Sequence, residues 1–414
     1  MSNLVETSIP WVGQIPTDWD IKHLFSIATE NKNKNKEQNE NVLSLSYGRI
    51  IRRDLSKNFG LLPENFDGYQ VVETGYIIIR STDLQNDKKS LRVGLVKEYG
   101  VITSAYIGLS PSNSLHPEYL FYYLNMCDLK KVFYSLGGGL RQSLRFEEFK
   151  RFPVIVPSIE EQQLISRYLD KKTSQIDSLV EKIQKKIELL KEQRTSLINQ
   201  CVTKGLDPNV EMKDSGVEWF GEIPKHWKVS KLKFEMEIHN NKRIPLSAEE
   251  RGERQGPYPY YGSTSLIDHV DDYLFDGRYN LIAEDGANLV MRNLRLSFIV
   301  DGKFWVNNHA HILKSKDHSF DDYYCELLEQ TDFTTVITGS AQPKLTLEAI
   351  KNTPLCVPPK HEIDQITDKI RTVLGDVNNL IELTSKKVKL LVEYRQSLIS
   401  SVVTGKVRVT EDMI

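Results

Sequence analysis

Cysteine is scarce in this 414-residue chain: Cys127, Cys201, Cys325 and Cys356 stand far apart and none belongs to a C-x-x-C pair. That spacing argues against a disulfide framework and a thiolate zinc site, and it suits a reducing, cytosolic compartment. Long apolar runs are also missing. Stretches such as Tyr76 to Ile79 fall far short of the roughly 20 residues that span a bilayer. The opening MSNLVETSIPWVGQ has no basic segment followed by an apolar one, so no signal peptide and no membrane partner is expected. Neither sign of charge dominates: 54 basic residues face 56 acidic ones, a formal net charge of -2. This excludes a histone-like polycation but leaves room for local basic patches. No G-x-x-x-x-G-K-S/T loop occurs, because Gly302-Lys303 and Gly405-Lys406 lack both the first glycine and the hydroxyl residue. Gly137 to Gly139 lacks the spacing of a dinucleotide loop. What is present is core material: 40% hydrophobic and 27% charged residues, enough for two to four folded domains.

The chain repeats itself. Trp11-Val-Gly-Gln-Ile15-Pro16-Thr-Asp-Trp19 returns as Trp219-Phe-Gly-Glu-Ile223-Pro224-Lys-His-Trp227, at an offset of 219 − 11 = 208. A second repeat starts at Pro153 and Pro354, an offset of 201 (354 − 153), and holds without a gap to Thr203 and Thr404. It matches Pro157 with Pro358, Glu161 with Glu362, Arg194 with Arg395 and Ser196-Leu197-Ile198 with Ser397-Leu398-Ile399. Each half therefore reads as short motif, variable block, long helix. The flanking parts match, whereas the blocks between them share little sequence.

The long helices follow from periodicity. Glu160 to Cys201 contains no proline or glycine, and Leu169, Ile176, Ile183, Leu190 and Leu197 recur every seven residues, with Leu179, Val180 and Ile187 widening the stripe. The second copy offers Ile370, Val377, Thr384, Leu391 and Leu398, with Leu380, Ile381 and Val388 beside them. This is a heptad seam with one polar break at Thr384. About forty residues at roughly 1.5 Å each make a rod of about 60 Å. Two such rods bury their stripes most economically on each other as an antiparallel pair with one module at each end. Pairing with a second chain is the alternative.

Within the first block, residues 76–80, 90–96 and 101–109 read as strands and residues 117–133 as a helix opened by Pro117. Within the second, residues 280–283, 297–300 and 309–313 read as strands, with turns at Asp285-Gly286 and Asp301-Gly302. Pro153–Pro157 and Pro354–Pro358 are apolar strands before each rod. The polar stretch NKNKNKEQNEN from Asn31 reads as a mobile surface loop.

In their repeated order, several motifs resemble the specificity subunit of type I restriction-modification enzymes. They are the Ile-Pro-x-x-Trp segments at Ile15 and Ile223, the Val-Pro-x-x-x-Glu junctions at Val156 and Val357, GGGLRQSL from Gly137, GSAQPKL from Gly339, and Tyr261-Gly262 through Asn307-Asn308-His309-Ala310-His311. The resemblance covers essentially the whole chain. One departure is local: Glu161-Gln162 in the first junction becomes Glu362-Ile363 in the second. The resemblance implies an α+β fold with two α/β target recognition domains, residues 1–158 and 204–359, joined by a spacer helix at 159–203 and a second spacer helix with a C-terminal tail at 360–414, the two helices forming an antiparallel coiled coil. It implies a non-catalytic subunit that recognises a bipartite target in double-stranded DNA. Two methyltransferase subunits and the restriction/translocase subunits would be its partners, and S-adenosylmethionine, ATP and Mg would belong to those partners, not to this chain. The absence of an Asn/Asp-Pro-Pro-aromatic motif agrees with that division of labour. A rival reading is a coiled-coil scaffold presenting two protein-binding modules.

Candidate DNA-binding residues come from side-chain chemistry. Arg49, Arg52, Arg53 and Lys57 cluster after Tyr47-Gly48, suited to phosphates and base edges, although a solvated hairpin would look the same. Arg141-Gln142 and Gln342-Lys344 lie at corresponding places (342 − 141 = 201). Arginine suits the guanine edge and glutamine the adenine edge. Arg278, Lys303, Asn308 and His309, with Tyr260, Tyr261 and Asn307, are further candidates in the second block. His309 and His311, two apart, fall on one face of a strand, but no third ligand accompanies them and no metal site is expected. Half-sites about one helical turn, or roughly 10 base pairs, apart are the geometric expectation.

Overall fold

The computed structural model describes residues 4–36, 39, 41–54, 65–84, 87, 90–136, 143–339 and 342–414. The chain divides into two compact units, residues 1–184 with 386–414, and residues 185–385. Both are α+β.

The first unit is built on a four-stranded antiparallel sheet in the order Ala28–Glu30, Ile107–Pro111, Ile77–Ile79, Val93–Leu95. The helix Pro117–Leu129 lies in its core, with Tyr119, Tyr122, Tyr123 and Leu124 all buried. Pro117 starts this helix, where a missing N–H costs nothing. Apolar and tyrosine side chains cover more than one of its faces, so it needs partners on several sides. The strand expected over 101–109 is two strands, Gly100–Ile102 and Ile107–Pro111, broken by a turn in which Tyr106 N–H donates to the Thr103 carbonyl. The polar stretch from Asn31 is no loose loop where it is described. Asn31 donates to the Val71 carbonyl at 2.6 Å, and Asn35 is buried and donates to the Asn39 carbonyl at 3.0 Å. Asparagine side chains replace backbone partners there, which composition alone does not reveal.

The second unit repeats the sheet strand for strand: Met236–Ile238, Ala310–Ser315, Tyr279–Ala283, Ser297–Val300. Its helix Asp321–Gln330 buries Tyr323, Tyr324, Leu327 and Leu328. The two blocks thus share a core that their sequences conceal, because a half-buried pleat accepts many apolar combinations. They differ in what the connection between the first and second chain-order strands carries. In the first unit it holds a hairpin, Leu43–Ser46 with Arg49–Arg52. In the second it holds Tyr258–Tyr261 and Leu266–Val270, which join Lys303–Val306 in a separate sheet. Asp301-Gly302 does turn the chain, with Gly302 at φ +87°, but the strands on either side enter different sheets.

The long helices run Ile159–Lys204 and Lys360–Val403. In the first unit, the start of the first helix packs antiparallel to the end of the second: Glu161 meets Arg408 at 2.7 Å, and Asp177 meets Arg395 at 2.8 Å. In the second unit, Arg194 donates to Asn378 at 2.6 Å. Of the stripe residues, Leu169, Ile176, Ile183, Ile370 and Leu398 are buried, while Leu190, Leu197, Val377 and Leu391 are half-buried. Leu179 and Leu380, expected to widen the stripe, are each 40% exposed. The second seam position falls on Val180 and Ile187, as expected, and on Thr173, alternating four and three residues from the first.

One tyrosine ties each module to its helices. Tyr119 Oη donates to the carbonyls of Ile155, at 2.9 Å, and Val403, at 3.3 Å. Tyr323 Oη does the same with Cys356, at 3.0 Å, and Val202, at 2.8 Å. Those partners are repeat equivalents, since 356 − 155 and 403 − 202 are both 201. Each module is thereby bonded to its own junction strand and to the end of the other repeat's helix. A left-handed glycine stops each helix: Gly205 at φ +75° beneath Trp227, and Gly405 at φ +71° against Pro16 and Trp19, where a Cβ would lie 2.4 Å from Pro16 Cδ. The Gln162/Ile363 departure is seen in the structure, where buried Gln162 accepts from the His116 N–H at 2.7 Å and donates to the Pro157 carbonyl at 2.9 Å while Ile363 joins the second core, and the matched glutamates differ as well. Glu362 accepts from the Trp227 indole at 3.0 Å, whereas Glu161 is taken by Arg408 and the buried Trp19 indole N–H has no partner among the described residues.

Candidate nucleic-acid interface

In the first module the hairpin positions the arginines. Alternation along its strands sends Leu43, Leu45 and Ile50 toward the module and Ser44, Ser46, Arg49 and Ile51 outward. Arg49 is 76% exposed and only loosely paired with Asp177, at 3.8 Å. Arg52 is clasped by Glu98 at 2.6 Å, which ties the hairpin to the module. Arg53 continues the hairpin edge, its N–H donating to the Val42 carbonyl. Lys57, Arg141 and Gln142 lie outside the described residues.

In the second module, the structure gathers Asn308, His309, Gln342 and Lys344 around one acidic turn. Glu284 N–H donates to the His309 carbonyl, Leu345 N–H to the Glu284 carbonyl, and Gly286 N–H to the Pro343 carbonyl. The Gln342 loop is closed by reciprocal backbone bonds between Thr338 and Lys344. Gly339, at φ +84°, leaves no room for a Cβ beside the Gln342 carbonyl, 2.5 Å away. Gln342, Asn308 and His309 are exposed. His309 Nδ1 sits 2.9 Å from Asp285.

Glu284 anchors this assembly. Its carboxylate is 11% exposed, pairs with Arg243 and contacts Lys344 at 3.3 Å and His311 at 3.5 Å. Burial alone would raise its pKa, but the hydrogen bond from Arg243 and the neighbouring His311 and Lys344 hold it below the ordinary glutamate value. His311 is fully buried, its pKa lowered chiefly by burial, and its other nitrogen lies 2.8 Å from the Leu345 carbonyl. His309 precedes the strand that His311 occupies, so the two do not share a face as the two-residue spacing suggested. Among the described residues no His/Cys/Asp/Glu group could hold a metal.

Arg278 and Lys303 sit apart from that cluster. Arg278 is held by Asp322 at 2.5 Å, Asp301 at 3.2 Å and Asp321 at 3.6 Å, and those carboxylates outweigh burial to raise its pKa. A guanidinium engaged on three sides is a brace of the module. Lys303 lies 4.6 Å over the Tyr273 ring. Tyr260 and Asn307 are buried and Tyr261 half-buried, packed with Phe298 and Phe304. Sequence reasoning missed Arg243, Glu284 and Asp285. A Glu-Asp-Gly turn after an apolar strand was the signal for the last two, whereas Arg243 reaches the site from a distant segment. Exposed, hydrogen-bonding side chains on rigid turns are what contact with base edges and phosphates needs.

A family model described as "Type I restriction modification DNA specificity domain" matches residues 16–189 and again 224–393. The chain is 23% identical to the type I restriction enzyme MjaVIII specificity subunit of Methanocaldococcus jannaschii over 334 residues, 75% of each chain. It is 22% identical to the MjaIX specificity subunit of the same organism, over 97% of this chain and 96% of that one. A Haemophilus influenzae protein that bears the name of a type I restriction enzyme specificity subunit is 32% identical over 142 residues, 34% of this chain and 36% of its own length. In fold, the chain is similar to one from a structure on the complex assembly and conformational transition of the type I R-M system (TM-score 0.69, 12% identity, 95% of this chain and 99% of that one). It is also similar to the HsdS subunit of Thermoanaerobacter tengcongensis (TM-score 0.52, 12% identity, 95% and 98%).

Proposed function

The chain belongs to the family of type I restriction-modification DNA specificity subunits, and from that premise we propose that it reads a bipartite DNA target, one half with each module. The observation that carries this is the matched anchoring of two differently elaborated modules by Tyr119 and Tyr323 on one duplicated scaffold. A symmetric mount for unlike readers is what an asymmetric, two-part sequence needs.

The two long helices act as the spacer. Asp177 with Arg395 in the first unit and Arg194 with Asn378 in the second are the contacts between the two helices within each unit that support this. In the first module the Leu43–Arg52 hairpin faces the duplex, and in the second the Gln342–Lys344 loop braced by Glu284 does so. Lysines and arginines supply salt-dependent contacts to phosphates, and Gln342, Asn308 and Arg49 face base edges. Arg141-Gln142, the repeat equivalent of Gln342-Pro343, takes the corresponding role in the first half-site.

The docked partners complete the enzyme. Two methyltransferase subunits bind the helical spacer and bring S-adenosylmethionine, and base flipping and methyl transfer happen in their sites. Restriction/translocase subunits bring ATP and Mg. This chain selects the sequence and carries out no bond-making step.

Module exchange tests the reading. The chain is co-expressed with its methyltransferase partner, residues 228–357 are replaced by the corresponding block of another family member, and genomic methylation is mapped. One half-site should change while the other and the gap persist. If both half-sites change, or neither does, the assignment of one half-site per module is wrong.

A further inference from the structure

We propose that Tyr47, at the tip of the first module's hairpin, is a sequence-reading residue that enters the major groove, and that a lysine cleft at the hairpin's base grips the adjoining phosphates. The proposal rests on the DNA-binding reading above.

The hairpin is a two-stranded ribbon of four residues a side, paired Leu43 with Arg52 through Ser46 with Arg49. The major groove, about 12 Å wide, admits such a ribbon. At its tip Tyr47 adopts φ +47°, followed by Gly48 at φ +77°. That turn favours asparagine, aspartate or glycine at the tyrosine's position, and a bulky side chain there is strained. The ring gains no packing in return, because it is 83% exposed, the most of any large apolar or aromatic side chain among the described residues. A strained, unburied aromatic has a use outside the fold. Its neighbours suit the groove: Ser46 and Arg49 pair on the outward face, with Ile51, 46% exposed, beside them. Serine and arginine bond to base edges, and apolar surface suits a thymine methyl.

The ribbon is also held. Arg52 is tied to Glu98 at 2.6 Å, and Asn41, just before the ribbon, donates to the Tyr99 carbonyl at 2.6 Å. Tyr99 lines an open cleft with Lys32, Asn33, Lys34 and Lys36. Lys32 pairs with Glu30 at 2.9 Å yet is 76% exposed. Ribbon and cleft thus meet at Glu98–Tyr99, a base reader beside a backbone grip. The corresponding connection of the second module carries its own ribbon, Tyr258–Val270, with Leu266 and Ile267 nearly half exposed. Elaboration of one connection in both modules fits a site where specificity varies.

Two variants of the full chain, each with its methyltransferase partner, test this. Tyr47→Asn keeps a residue that tolerates the left-handed turn, so thermal stability should hold or rise. Methylation should fall roughly tenfold or more at bipartite sites whose first half carries the preferred base, with the sequence preference at the second half unchanged. Lys32→Gln/Lys34→Gln/Lys36→Gln should weaken binding to target and non-target duplexes alike, and lower the slope of log affinity on log salt by about 2.7, or 0.9 per phosphate lost. If Tyr47→Asn methylates within twofold of the unaltered chain at every site, or the triple variant keeps its salt slope, the proposal is wrong. If the unaltered chain with its partner methylates no bipartite site, the parent reading fails instead.

Discussion

Removing one hydroxyl tests how the modules are mounted. Tyr323 is fully buried, and its Oη sits 2.8 Å from the Val202 carbonyl and 3.0 Å from the Cys356 carbonyl. Tyr323→Phe keeps the ring and its packing but leaves two buried carbonyls without that donor. A buried acceptor stripped of its partner costs about 1–3 kcal/mol. Cys356 also belongs to a strand paired with Val229, so the lower half, about 1–2 kcal/mol, is expected. For a unit of about 200 residues that lowers the melting temperature by roughly 2–8 °C. Tyr119→Phe removes longer bonds, 2.9 and 3.3 Å, and should cost less. Hydrogen exchange read by mass spectrometry localises the effect. Tyr323→Phe should loosen residues 198–204 and 354–357, and Tyr119→Phe residues 399–403 and 153–156. The two losses should add, because the tyrosines share no partner. If both variants cost under about 0.5 kcal/mol, or loosening appears elsewhere while these segments stay protected, the tyrosine mount is not what joins module to helix.

Other perturbations have equally definite outcomes. Because the folded state holds the Glu284 carboxyl below its unfolded value, its stabilisation is present above about pH 4.5 and disappears as pH falls through the depressed folded value. Acid unfolding of the second unit should therefore begin at higher pH in Arg243→Met, and Glu284→Gln should flatten the transition, both followed by fluorescence. Arg278→Ala leaves Asp301, Asp321 and Asp322 facing one another. It should lower the melting temperature by several degrees while DNA affinity of the folded protein changes under about threefold, a split that a direct DNA contact would reverse. Burial pushes the Cys325 and Cys356 thiols up to about 12 and raises those of Cys127 and Cys201, so alkylation at pH 8 should be negligible until the chain is denatured.

Scaffold and modules differ in how plainly the sequence wrote them. The long helices were legible because a seven-residue stripe over forty positions without proline or glycine marks a helix, and because the 201-residue repeat marked both copies. The junction strands followed from the same repeat. The shared sheet was not legible: short half-buried strands specify polarity, not identity, so the alignment of Ile77–Ile79 with Tyr279–Ala283 left no sequence trace. Site residues fared according to locality. Gln342 and Lys344, singled out through the repeat, lie beside His309 at the Glu284 turn. Arg278 looked like a free cation because its three aspartates are 23, 43 and 44 positions away (301, 321 and 322 against 278). The exposure of Tyr47 depends on the left-handed turn that aims it outward, which no local composition marks.

The central claim is that the helices hold two readers at a set separation along the duplex. Inserting seven residues after Gln184 and seven after Ser385, equivalent places in the two helices (385 − 184 = 201), keeps both heptad stripes in phase. It lengthens the pair by about 10 Å, the rise of roughly three base pairs. Methylation mapping in cells carrying this variant with its partners should return both half-sites unchanged, separated by a gap one to three base pairs longer. New half-sites with the old gap would contradict the account outright.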